Sequence, residues 1–434
     1  MLNLVNVGHK SLADYGTIAT RGLMDEIREL AEPLRGKRVV HLSATAFGGG
    51  VAEINYTLVP LMADVGLDVE WRIIHGRDEF FQVTKAIHNA LQGNPRGLTA
   101  AEQEVFRRYN AENARDFEDD YDFVIVHDPQ PVAMIDGVAG SRAKWIWRCH
   151  IDLSMPNREV LAFLLPAIAK YDAAIFHRRA YVPVGAELPA ECVIWPPAID
   201  PLTPKNMALS PEDAAYIVDQ FGIDVERPLL TQVSRFDPWK DPLGVIDAYR
   251  LVKEVFPEVQ LALVGSMAHD DPEGWDFYNQ TVAYAAGDPD VFVLSNLNNV
   301  GSVEVNAFQV HSQVVLQKSI REGFGLTVTE ALWKGRPVVA GRVGGIVEQI
   351  TDGETGWLVD SSSEAAQACI EILRDPAGAR AGAARQGGRA ATLPHPAAAP
   401  RLAGALQPAA RRRGRRGAAR PDRGGQGFVA SGRG

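Results

Sequence analysis

The chain has 434 residues, 46% of them hydrophobic and 23% charged, enough for two α/β domains with separate cores. Its formal net charge of −10 is unevenly spread: residues 377–434 carry twelve Arg and one Asp, a net of +11, which leaves −21 on the preceding 376 residues. An acidic body argues against nucleic-acid binding, no apolar run reaches the roughly 18 residues that cross a bilayer, and Cys149, Cys192 and Cys369 are too scattered for a disulfide framework or a zinc site.

The first stretch, MLNLVNVGHKSLADYG, lacks the charged-then-apolar layout of a signal peptide, so a cytoplasmic location is expected. The first thirty-odd residues read as a hairpin and a helix ending near Gly36. A strand over 38–42 runs into Ala46-Phe47-Gly48-Gly49-Gly50 and then a helix from Val51 to about Ala63. Strand, glycine loop and helix make the layout of a doubly wound sheet that binds ligands beyond the carboxyl ends of its strands. The loop fits neither GxGxxG nor the Walker pattern, which argues against a nicotinamide enzyme and a P-loop ATPase. Short apolar strands follow at 69–72, 123–126, 144–148 and 173–176, with helical segments at about 80–91, 100–117 and 157–169, as in a parallel sheet covered on both faces. Two strands end in polar groups, His127-Asp128-Pro129-Gln130 and Cys149-His150-Ile151-Asp152. A lone His is usually structural, but a His with an acid at one strand end, twice over, points to a sugar site. Asp128 and Gln130 can bind hydroxyls, and His150 can hydrogen-bond a sugar hydroxyl or lie beside a developing cation.

Four prolines between 196 and 204 break helix and strand, so the first domain is expected to end there. A second set of strands is expected at 229–233, 260–264, 291–294, 314–317 and 337–340, with a helix from Leu243 to Val255. Arg235 and Lys240, in SRFDPWKDP, put a planar fork and a point charge on one strand-end loop, a match for a diphosphate; the plainer alternative pairs them with Asp237 and Asp241. Asp288-Pro289-Asp290 has the look of a DxD metal motif, but it contains proline and precedes a strand, so it reads as a turn and no protein-bound metal is expected. In REGFGLTVTE, Arg321 to Glu330, two carboxylates flank Gly323-Phe324-Gly325, and helical spacing begins at Leu326. Glu322 then belongs to the loop and Glu330 to the first turns of a helix, where amides suit a phosphate and Glu330, pointing into the cleft, could accept from a ribose diol. The plainer alternative is a corner with solvated glutamates. After Pro376 the hydrophobic periodicity stops and Lys, Glu and Ile disappear. One reading is a basic disordered tail. Another is a one-base frame change, because degenerate codons for Gly388 to Gln407, read one nucleotide later, permit an amphipathic helical pattern; sequencing the source locus near codon 378 distinguishes the two.

E-x7-E around a GFG turn, with SRF-x3-K upstream and GGI downstream, resembles the retaining GT-B glycosyltransferases of family four. VSRFDPWKDP, HDPQP, WRCHIDLS, KAIHNALQG and QKSIREGFGLTVTEALWKGRPVVAGRVGGI are similar to segments of the trehalose glycosyltransferring synthases and of their relatives the trehalose phosphorylases, over roughly residues 1 to 376. The resemblance implies an α/β chain of GT-B fold, two doubly wound Rossmann-like domains facing across a cleft: an acceptor-side domain over 1–199, a nucleotide-sugar-binding domain over 200–376, and an atypical tail over 377–434. It implies retaining transfer of glucose from UDP-, ADP- or GDP-glucose to free glucose, giving α,α-trehalose. Catalytic roles fall to His150, Arg235, Lys240 and Glu322; donor binding to Gly49, Gly50, Gly265, Gly323, Phe324, Gly325 and Glu330; acceptor binding to Asp128, Gln130, Asp152 and Asn89. No cofactor is expected and Mg2+ is at most a stimulant. The expected partners are glucose and the nucleotide sugar, with no nucleic acid and no membrane, and a homodimer is left open. The alternatives are a trehalose phosphorylase, with inorganic phosphate in place of the nucleotide, and a catalytically silent sugar-binding GT-B protein. A nucleotide-sugar epimerase would have no evident use for HDPQ and WRCHID.

Overall fold

The computed structural model describes residues 2–47, 49–138, 140–267 and 272–390. Two separate sheets organise them. The first contains β1 (Asn3–Leu4), β2 (Arg38–Ser43), β3 (Asp68–Ile73), β4 (Phe123–His127), β5 (Lys144–Arg148), β6 (Ala173–Phe176) and β7 (Glu191–Ile194), in the spatial order β1-β3-β2-β4-β5-β6-β7. All its pairings are parallel except β1 with β3. The second contains β8 (Leu229–Val233), β9 (Gln260–Val264), β10 (Val291–Leu294), β11 (Val314–Gln317), β12 (Val338–Gly341) and β13 (Trp357–Val359), in the order β10-β9-β8-β11-β12-β13 and wholly parallel. Helices cover both faces of each sheet, which is why VVHLS, FVIVH, LLTQV and VVLQ are near-continuous apolar runs buried almost throughout.

Each sheet reverses its winding at one point, between β2 and β4 in the first and between β8 and β11 in the second, and there the loops after the strands diverge and leave a crevice. The first crevice is bounded by the glycine loop after β2 and by His127-Asp128 after β4. The second is bounded by the Arg235–Lys240 loop after β8 and by Lys318 to Glu322 after β11.

The amino-terminal hairpin expected from the sequence does not form. β1 is two residues long and pairs at the sheet edge with β3, and the chain then turns through a short 3-10 helix into the helix Arg21–Ala31. Two edge strands, β7 and β13, escaped the sequence reading: ECVI runs directly into the proline-rich linker and WLV is only three residues long. Asp288 and Asp290 close a turn before β10 and share the ammonium of Lys253, at 2.9 Å from each. Ordered structure also extends past Pro376: the helix Pro376–Ala390 buries Ala383 among Val328, Ala331 and Leu332. Alanine contacts of that kind leave no strong hydrophobic period, so a pattern count overlooks them. Gly388 to Ala390 are the only part of the proposed frame change within the described residues.

Candidate active site

The glycine loop of the first half and the GFG turn of the second face each other. Gly49, at φ 98°, precedes the helix Gly50–Asp64, and a Cβ added to Gly50 would lie 3.0 Å from Leu326 Cδ1. Gly325, at φ 86°, turns the chain into the helix Leu326–Trp333, a backbone conformation that a side chain would strain. Gly323 approaches the first half more closely still: a Cβ there would stand 2.5 Å from the carbonyl oxygen of His150. The Tyr181 hydroxyl donates to the carbonyls of Glu322 and Gly323 at 3.1 and 2.8 Å, and the Phe324 ring meets His177 edge-on with centroids 6.0 Å apart.

The loop after β8 delivers Lys240 to the same turn. Lys240 Nζ lies 2.6 Å from Glu322 Oε2, which also accepts from Ser319 Oγ at 3.3 Å and from Gln317 Nε2 at 3.4 Å. Arg235 is 48% exposed at its side chain and reaches Asp237 at 3.4 Å. Asp241 pairs with Lys318 rather than Lys240, so only half of the surface pairing considered for this loop forms. Gly265 is packed, not open. A Cβ there would meet Phe236 Cε2 at 2.3 Å and the Ser234 carbonyl at 2.7 Å, so its small size lets the Arg235 loop cross the end of β9. From the first half, His88 on the helix Asp78–Leu91 faces these cations; burial, then Arg235, Lys85 and Lys240, pushes its imidazole down to about 3.

Glu330 departs from expectation. It is fully buried, with Lys205 Nζ 2.9 Å from Oε1 and Gln309 Nε2 donating to Oε2 at 3.0 Å. Burial pushes its carboxyl up, but Lys205 and Lys334 outweigh that and hold it below the usual range. Burial in turn brings Lys334 down to about 8. Lys205 comes from the chain between the two sheets and also pairs with Glu53 of the helix Gly50–Asp64 at 3.0 Å. The carboxylate that the sequence placed in an open cleft is therefore ion-paired, and a ligand reaches it only by sharing or exchanging Lys205.

In the first half, Asp128 adopts φ 63° and accepts the His150 N–H at 2.8 Å. Burial pushes its carboxyl up to about 7, against the opposing pull of that N–H and of Arg148. Asp152 is buried and accepts from the backbone of Ser154 at 2.8 Å. Both acids thus brace their own loops. Gln130 Oε1 is buried with no hydrogen-bond partner, and Asn89 is half-buried on the helix Asp78–Leu91. The ring of His150 needs a correction: Nε2 lies 2.9 Å from His127 Nδ1 and Nδ1 lies 3.3 Å from His177 Nε2, so neither nitrogen is left for a sugar hydroxyl. What His150 presents at the GFG turn is its carbonyl. His41, His88, His177 and Lys205 were not singled out from the sequence. His177 directly follows β6, so the strand-end rule that picked out HDPQ and CHID applies to it as well. Lys205 sits in a proline-rich run with no periodicity and gives no such signal. Among the described residues no group of three or more His, Cys, Asp or Glu side chains is placed to hold a metal ion.

Residues 41–183 match the family model described as trehalose synthase, N-terminal domain, and residues 215–390 match glycosyl transferases group 1. The chain is 61% identical to a trehalose synthase of Rubrobacter xylanophilus over 385 residues, 88% of this chain and 92% of that protein. It is 30% identical to a trehalose phosphorylase of Pleurotus pulmonarius over 399 residues, 80% of this chain but 54% of that protein. A solved UDP-forming α,α-trehalose-phosphate synthase from Burkholderia xenovorans, in complex with glucose-6-phosphate, shares the fold with a TM-score of 0.64 at 15% identity, covering 82% of this chain and 97% of that one.

Proposed function

The chain belongs to the trehalose synthase family of GT-B glycosyltransferases, and from that premise we propose that it transfers glucose from a nucleoside diphosphate glucose to the anomeric hydroxyl of free glucose, with retention, to give α,α-trehalose. The observation that carries this reading is the meeting of Lys240 and Glu322 at the GFG turn, whose Gly323 stands against the His150 carbonyl, with Arg235 exposed on the same loop as Lys240. In this reading residues 1–199 hold the acceptor and residues 200–376 the nucleotide sugar. Arg235 and Lys240 stabilise the diphosphate as it gains charge on leaving. Glu322 and the amides of Gly323 to Gly325 fix the donor glucose, and Glu330 takes the ribose diol. The bond from the donor anomeric carbon to the phosphate oxygen breaks, and the bond to the acceptor oxygen forms on the same face. The departing phosphate oxygen takes the acceptor proton.

Similarity to a trehalose phosphorylase supports a second reading, in which inorganic phosphate replaces the nucleotide. A panel decides between them: glucose with each of UDP-, ADP- and GDP-glucose, and trehalose with inorganic phosphate. Disaccharide formed only with a nucleotide sugar supports the synthase. Trehalose cleaved by phosphate, with no response to any nucleotide, overturns it, and no turnover in either arm leaves the silent sugar-binding protein.

A further inference from the structure

Four histidines from four adjacent strands stand in one hydrogen-bonded row. His41 lies within β2, His127 ends β4, His150 follows β5 by two residues and His177 follows β6 by one. His41 Nδ1 meets His127 Nε2 at 2.9 Å, His127 Nδ1 meets His150 Nε2 at 2.9 Å, and His150 Nδ1 meets His177 Nε2 at 3.3 Å. Successive ring centroids are 5.2, 5.2 and 5.1 Å apart. That spacing is close to the roughly 4.8 Å between neighbouring strands, with one ring per strand; His41 is level with Ile125 and His127 with Arg148, so the row climbs by two residues at each of its first two steps. His41, His127 and His177 are buried.

Counting protons turns this row into a single unit. Four neutral imidazoles carry four N–H protons, one each. Each of the three contacts needs one proton, because none would leave two lone pairs opposed and two would crowd. One proton remains, and it has only two places to go: His41 Nε2 or His177 Nδ1. Both are buried atoms without a partner. With the proton at His177 every ring is an Nδ1–H tautomer, and with it at His41 every ring is an Nε2–H tautomer, so the tautomer of any ring is shared by all four. Burial and the neighbouring Arg148 hold all four rings neutral. His150 sits inside this row, with its backbone N–H on Asp128 and its carbonyl at the Gly323 contact.

We propose that His41, His127 and His177 are positioning residues for His150: the row fixes the plane and tautomer of its ring and so holds its main chain against the turn that carries Glu322. The catalytic half of this proposal rests on the reading of the cleft as a glucosyl-transfer site; the row itself does not.

In the 15N-labelled full chain, scalar coupling across N–H···N bonds between imidazoles is expected in the ligand-free protein, and its absence at every ring pair overturns the row without any variant. His41→Phe then removes the far end while keeping a flat ring. The expected result is a shift of the His150 and His177 ring nitrogens, nucleoside diphosphate affinity unchanged because Arg235 and Lys240 are untouched, and turnover lowered about fivefold to tenfold, the rate equivalent of one lost hydrogen bond. His177→Phe tests the row from the other end, where the His41 and His127 nitrogens should move. Ring resonances beyond the nearest neighbour that stay in place, or turnover that is unchanged while they move, refute the positioning role. Absence of transfer in the unaltered protein would instead refute the function on which it rests.

Discussion

Glu322 and Glu330 sit eight positions apart in one motif but in unlike surroundings, and the difference sorts their roles. Glu322 meets Lys240 at the GFG turn; in the proposed reading charge develops there during transfer, so Glu322→Gln should lower turnover at saturating donor by roughly 100-fold or more. Glu330 is held by Lys205 and Gln309; in the proposed reading it shares Lys205 with the donor ribose, so Glu330→Gln should chiefly raise the donor KM, by roughly tenfold, the worth of one charge-assisted hydrogen bond. Steady-state kinetics with calorimetric nucleotide binding reads both, and a reversed pattern would exchange the two roles. The residue types and spacing of this motif were legible in the sequence, as was its placement at a helix start. The burial of Glu330 was not singled out, yet a signal was there: Val328, Thr329, Ala331 and Leu332 surround it on a helix that is buried nearly all round. The engagement of both His150 nitrogens was not legible, because it depends on how four strands lie side by side.

The elements of the cleft act through close backbone approach and one linker lysine. Gly323→Ala would push a methyl against the His150 carbonyl, a backbone atom that cannot rotate away. The halves should then fail to close, with turnover lost while the melting temperature stays near that of the unaltered protein. A melting temperature that falls with activity would point instead to a folding role for Gly323. Lys205 ties Glu330 to Glu53, joining the second-half motif to the helix behind the glycine loop. Lys205→Met leaves a buried carboxylate short of its main partner and should destabilise the chain by about 3 kcal/mol. Adding Glu330→Gln should recover part of that loss in denaturant melts, and strict additivity would show that the pair is not coupled. At this scale most strands were readable, since short apolar runs between helices leave few alternatives. The edge strand β7 merges into the proline-rich linker and β13 is only three residues long, and an alanine helix after Pro376 carries little hydrophobic pattern at all.

Across the whole molecule, buried imidazoles set the response to acid. His41, His88 and His177 are pushed down to about 3 from 6.5, and His127 and His150 well below 6.5, first by burial and then by nearby cations. The unfolded chain therefore binds more protons than the folded one below 6.5, so this stability is complete above 6.5 and is lost as pH falls toward 3. Asp128, raised to about 7 from 3.8, acts in the opposite sense as one group against five. Calorimetry should show the melting temperature falling as pH drops from 6.5, more gently in His41→Phe; a flat profile would mean that these rings are not buried and neutral. The central claim is tested most directly by the linkage of the product. With [1-13C]glucose as acceptor and an unlabelled nucleoside diphosphate glucose as donor, NMR should find the label in an α,α-1,1 linkage, with one nucleoside diphosphate released for each disaccharide. Label in a reducing disaccharide, a β-configured linkage, or disaccharide formed without release of nucleotide would contradict retaining transfer to the anomeric hydroxyl of glucose.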